Sequence, residues 1–200
     1  MRLYVDACND EPPGAPAQRP GRARYECNAH IWPTPLRPLS QASFGRSGQA
    51  LVLAEVMEFS DNFYAEVEEK STGIHAFELL IDRYTGVVYP EPGPNMMWNT
   101  RYGHMAAGHL GCMMGGWGGR QAGPMSVIPE QARDIAQGWL DKFLPGASAA
   151  EQADAFYGYY TIHVMRDGQA YGMLSVNGYS GEVWYHTWHG DFIGMRELEQ

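Results

Sequence analysis

From Phe156 to His186 the chain carries two apolar, aromatic-rich runs on either side of Arg166-Asp167-Gly168. Asp-Gly between two β-rich runs is the strongest short-range hairpin signal, so this stretch predicts a pair of antiparallel strands. A second turn, Asn177-Gly178-Tyr179-Ser180-Gly181, leads into a third strand from Glu182 to His186. The stretch Phe63 to Pro90 repeats the pattern. At an offset of 95 positions Leu79, Ile81, Tyr84, Gly86 and Val88 fall on Leu174, Val176, Tyr179, Gly181 and Val183, and Gly73 falls on Gly168. The first arm needs a further two-residue shift, which sets Val67 on Val164. A repeat at fixed offset is one supersecondary unit used twice.

Periodicity changes at residues 129–143. Ala132, Ile135, Ala136, Trp139, Leu140 and Phe143 form an unbroken stripe at helical spacing. Pro129 suits a first helical position, Glu130 a first turn, and Pro145-Gly146 a stop. This helix is expected to cover one face of the second sheet. Residues 50–59, ALVLAEVMEF, match neither period cleanly, because Leu51 and Leu53 are out of phase with Val56-Met57. The turn Ser60-Asp61-Asn62 before Phe63-Tyr64-Ala65-Glu66-Val67 argues for strand, turn, strand. No helical stripe precedes the first copy. The expected segments are an irregular Pro/Arg-rich arm (1–48), a first strand unit (49–92), a Gly/Met/His connector (93–125), a second unit with its helix (126–190) and a tail (191–200).

Composition narrows the class. Hydrophobic residues make up 44% and charged ones 18%, as in a globular chain. The net charge is −9, with six Arg against four acids in residues 1–48 and eight basic against nineteen acidic residues after them. So acidic a body is a poor nucleic-acid partner. No run approaches the roughly 18 apolar residues of a membrane span, and no apolar segment of a signal peptide is visible at the start. Cys8, Cys27 and Cys112 are too few and odd in number for a disulfide framework; a bridge between Cys8 and Cys27 stays open.

Helix, hairpin and a last strand opened by Tyr-Thr/Ser-Gly-x-Val resemble the PepSY domain. The resemblance is best over residues 126–188, with the helix Pro129–Phe143 and Tyr179-Ser180-Gly181-Glu182-Val183-Trp184. It is partial over residues 50–90, where Tyr84-Thr85-Gly86-Val87-Val88 matches but the opening helix is missing. It implies an α+β fold of two modules, each an antiparallel sheet, and a non-catalytic, inhibitor-like or regulatory binding role with a protein or peptide partner. It also implies a periplasmic or extracellular location, and it brings no catalytic residues.

Three sets of residues could carry chemistry. His104, Met105, His109, Cys112, Met113 and Met114 offer thioether, thiolate and imidazole within a glycine-rich run, the ligands that a soft ion such as Cu(I) prefers. The alternative is a flexible linker, with Met96, Met97 and Trp98 packing on the first module. Tyr171, Trp184, Tyr185, His186, Trp188 and His189 could line a ligand groove, or else pair across strands. His186 and His189, three apart at a strand end, could reach one metal ion, or stand half-exposed at a sheet edge together with His163. No G-x-S-x-G elbow, phosphate loop or HExxH motif argues for an enzyme, and Glu66, Glu68 and Glu69 read as a solvated face.

Overall fold

The computed structural model describes residues 50–103 and 123–197, all within one compact unit. The arm, all three cysteines and the six connector residues named above lie outside the described residues.

Ten strands form one sheet. Strand β1 (Leu51–Phe59), β2 (Asn62–Glu69), β3 (His75–Asp82) and β4 (Val88–Pro90) come from the first copy. Strand β5 (Ser148–Ala149), β6 (Asp154–Phe156), β7 (Tyr159–Arg166), β8 (Gln169–Asn177) and β9 (Val183–Tyr185) come from the second, and β10 (Phe192–Glu197) returns to pair with β1. The order is β10-β1-β2-β3-β6-β7-β8-β9, with β4 also on β3 and β5 also on β7. All pairs are antiparallel except one, the parallel contact of His75 with Phe156 that joins the halves. A short helix α1 (Pro94–Met97) follows β4, and α2 (Pro129–Phe143) precedes β5. Among the described residues no helix is long and apolar enough to cross a membrane.

The registers repeat with the sequence. Phe63, Ala65 and Val67 face Ile81, Leu79 and Phe77, as Tyr160, Ile162 and Val164 face Val176, Leu174 and Gly172. The ladder then slips at equivalent places, after Val67 and after Val164. Ile81 pairs with Val88 as Val176 pairs with Val183. Both last turns are built alike. Asp82 Oδ1 accepts the amides of Tyr84 and Thr85, and Asn177 Oδ1 those of Tyr179 and Ser180. Gly86 and Gly181 close these turns at φ 69° and 73°, where a side chain would be strained.

Two independent α+β modules are nevertheless the wrong description. The halves share one mixed sheet, and α2 packs only on the second, against β5, β7, β8 and β9. It buries Ala132, Ala136 and Leu140 on Tyr160, Ile162, Val164, Leu174 and Val176; Trp139 is half-buried and Phe143 is exposed. On the first half, Phe63, Ala65, Val67, Phe77, Leu79 and Ile81 form a separate apolar layer with Val56, Tyr102 beside it. The alternate residues of both halves meet in a third layer, where Met57, Phe59, Tyr64, Leu80 and Met173 pack together. This third layer holds the histidines and glutamates.

Candidate metal centre

Strand alternation delivers these side chains. When Phe63, Ala65 and Val67 face one way, Tyr64 and Glu66 must face the other. On β7 the same rule turns Thr161 and His163 inward, and on β8 it turns Ser175 inward. Glu66, Glu69, Glu78 and Glu91 are all at most 1% exposed, so the expected solvated face at Glu66 and Glu69 is instead interior; Glu68 is half-buried. A buried carboxylate is costly unless it is paired and hydrogen-bonded, and here partners converge. The hydroxyls of Tyr64, Thr161 and Tyr159 lie 2.8, 2.7 and 2.8 Å from the Glu78 carboxyl oxygens. Burial, followed by the nearby charges of Glu91 and Glu66, pushes the Glu78 carboxyl well above the usual range.

Glu91 follows β4 and His186 follows β9, so the two occupy equivalent places in the repeat. Glu91 N donates to Glu78 O (3.0 Å), as His186 N donates to Met173 O (3.0 Å). Glu91 Oε1 lies 3.2 Å from His186 Nδ1, 3.0 Å from His189 Nε2 and 2.9 Å from the donating Trp188 Nε1. Both imidazoles and the carboxylate are buried. Asn95 holds the Glu91 backbone, its amide donating to the carbonyls of Glu91 (3.2 Å) and Glu78 (3.0 Å). His189 stacks on Phe59 and stands edge-on to Tyr64, while His186 stacks on Trp188.

Hydrogen bonds tie the far nitrogen of each imidazole. Asn62 donates its amide to Trp188 O (2.8 Å), which turns Asn62 Oδ1 toward His189 Nδ1 (3.0 Å). His189 Nδ1 therefore donates to Asn62 Oδ1, and Nε2 faces Glu91. Thr161 Oγ1 lies 2.7 Å from Glu78 Oε1 and 3.1 Å from Ser175 Oγ. Ser175 Oγ in turn lies 2.9 Å from His186 Nε2 and ties the far side of that ring. Neither His186 Nδ1 nor His189 Nε2 makes a properly directed hydrogen bond, and neither does Glu91 Oε2. Two imidazole nitrogens this close to one carboxylate oxygen call for positive charge at that place, carried by a proton or by a metal ion. Burial lowers the His189 pKa, and His186 beside it adds to that effect against the pull of Glu91, which disfavours a proton in that role. Burial alone would raise the Glu91 carboxyl, but the two imidazoles, His186 foremost, hold it well below its ordinary value. Glu91, His186 and His189 each offer a ligand atom, all within 4.8 Å of one another.

The residues of the expected ligand groove divide between places. Tyr171, Tyr185 and His186 line a cavity of about 550 Å³ together with Arg166 and Phe192. Trp184 stands edge-on to Trp98 instead. Trp188 and His189 belong to the interior around Glu91. Met97 is exposed and Trp98 contacts the second half, in contrast to the expected packing on the first. His186 and His189 had a readable signal in their spacing. Glu91 had none, being an isolated acid beside prolines and 95 positions away from His186. No family model, curated protein or solved structure matches the chain, so nothing in these comparisons identifies a PepSY domain.

Proposed function

We propose that this chain is a metal-ion-binding protein and that Glu91, His186 and His189 are its ligands. The observation that supports this is the pair of buried nitrogens, His186 Nδ1 and His189 Nε2, that close on one carboxylate oxygen without a properly directed hydrogen bond. Two imidazoles and a carboxylate suit a borderline divalent ion of the zinc class. Each imidazole has its far nitrogen tied, to Ser175 or to Asn62, which is the outer-shell arrangement that orients metal-bound histidines. Three protein ligands leave a tetrahedral ion one position for water. The role is binding, and burial of all three ligands suits an ion held for long times.

The alternative source of positive charge is an imidazolium at the same place, and metal uptake separates the two. Chelator-treated protein is dialysed against Zn2+, and ions per chain are counted by elemental analysis. Wild type should hold one ion more than either Glu91→Gln or His189→Gln, and Co2+ should give tetrahedral absorption bands that both variants lose. Equal uptake and equal spectra in all three proteins would sink the proposal.

A further inference from the structure

We propose a second, independent cation site on the same interior layer, formed by Glu55, Glu66 and His163, that takes a divalent ion through two carboxylates and one imidazole. Four observations converge on it.

The first is orphaned ligand atoms. His163 Nε2 lies 3.2 Å from Glu55 Oε1, yet neither atom makes a properly directed hydrogen bond. One ligand atom each from Glu55, Glu66 and His163 lies within 4.8 Å of the other two. Among the described residues, every buried side-chain nitrogen or oxygen without a hydrogen bond belongs to this cluster, to the Glu91 centre, or to His75 beside Glu66.

The second is strand register. Glu55 is directly opposite Glu66 on the neighbouring strand, and Glu66 is opposite Glu78. Like charges directly across a ladder are destabilising unless something neutralises them; His75 stands against Glu66 and His163 against Glu55, and an ion between the two carboxylates would add to that neutralisation. A bulge between Leu53 and Glu55 creates this row. Leu51 and Leu53 face the outer apolar layer, and without the extra residue Glu55 would follow them. The bulge turns it inward instead, and bulges that re-aim a side chain occur next to functional sites.

The third is the repeat. With the two-residue correction, Glu66 and His163 occupy equivalent positions in the two copies, as Glu91 and His186 do. A residue that meets its own counterpart sits on a local two-fold axis. Both clusters therefore sit where the two copies face each other, each with a carboxylate from the first copy and an imidazole from the second.

The fourth is the support around Glu66. Tyr64 donates to Glu66 Oε1 (2.6 Å) and His75 Nδ1 approaches Glu66 Oε2 (2.7 Å). The far nitrogen of His75 faces Asp154 at 3.8 Å. Tyr64 and His75 thus position the buried carboxylate, while Glu55 and His163, 13% and 14% exposed, leave an ion a way in from solvent. Two oxygens and one nitrogen make this site harder than the Glu91 centre and open to Mn2+ as well as Zn2+.

The test uses the full chain, freed of metal and titrated with Mn2+ followed by electron paramagnetic resonance. Wild type should bind Mn2+, and Glu55→Gln with His163→Gln should weaken that binding at least tenfold. Glu91→Gln should leave the Glu55 site intact, so the failure of either site shows separately in the Zn2+ count. If the double variant does not fold, wild type labelled with nitrogen-15 decides the matter. Addition of Zn2+ to the Glu91→Gln protein should move the His163 Nε2 resonance to a metal-bound value. Unchanged Mn2+ affinity in a folded double variant, or a His163 resonance indifferent to Zn2+, would overturn the second site.

Discussion

Burying a carboxylate without compensation costs several kcal/mol, so the interior positions of Glu66, Glu78 and Glu91 decide much of the residue-scale chemistry. In metal-free protein, His75 is the counter-charge to Glu66. Burial alone would lower its pKa, but Glu66, with Asp154 behind it, raises it from 6.5 to about 9. Because the folded value is the higher one, this pairing stabilises the fold fully below about pH 6.5, and the contribution disappears as pH rises through 9. The thermal midpoint of chelator-treated wild type should thus exceed that of His75→Gln at pH 6, and the two should draw together by pH 10. A constant gap across that range would mean that His75 acts through packing. Asn62 acts on the other centre, by holding the His189 tautomer. Asn62→Ala should weaken Zn2+ binding at the Glu91 centre by about 10- to 100-fold, as measured by chelator competition.

At the scale of elements, the loop after β9 is tied to the turn between β1 and β2. Ser60 N donates to Asp191 O (2.8 Å), and Asp61 N donates to His189 O (3.1 Å). Gly190 permits this approach. Its φ is 78°, and a Cβ there would come within 2.1 Å of Ser60 Oγ and 2.8 Å of Asp61 Cγ. Gly190→Ala should move His189 and lower Zn2+ affinity at least tenfold while the circular dichroism of the sheet stays close to wild type. Helix α2 offers a separate test. Leu140 is fully buried, so Leu140→Ala should cost about 2–5 kcal/mol in urea unfolding. Phe143 is 56% exposed, and Phe143→Ala should cost less than about 1 kcal/mol. Similar losses at both positions would contradict the way the helix is seated.

For the whole molecule, the shared inner layer makes each half depend on the other. Residues 126–190 contain the helix and a hairpin, but when they are cut out Met173 loses Leu80 and Tyr64, and Thr161 and Tyr159 lose Glu78. That fragment should therefore lack the dispersed amide NMR spectrum of a folded domain, and addition of residues 50–103 in trans should restore it. A well-dispersed spectrum from the fragment alone would show that the sheet's two halves are separable after all.

The sequence by itself determined the local order. It carries the helix from Pro129 to Phe143, both hairpins, the two Asx-closed turns and the offset that relates the copies, because each depends on neighbours a few residues apart. It also marked His186 and His189 as a pair. It did not determine which face of each strand is interior on both sides. A strand alternating apolar with Glu, Thr or His looks half-solvated whether its polar face meets water or another polar face. For that reason Glu66 and Glu69 read as surface, and the two copies read as separate modules. Only the tertiary structure brought the polar faces together, turned Glu55 inward at a bulge, and set Glu91 against His186 across 95 residues of chain. Such contacts depend on how the two halves of one sheet face each other, a property that no local periodicity encodes.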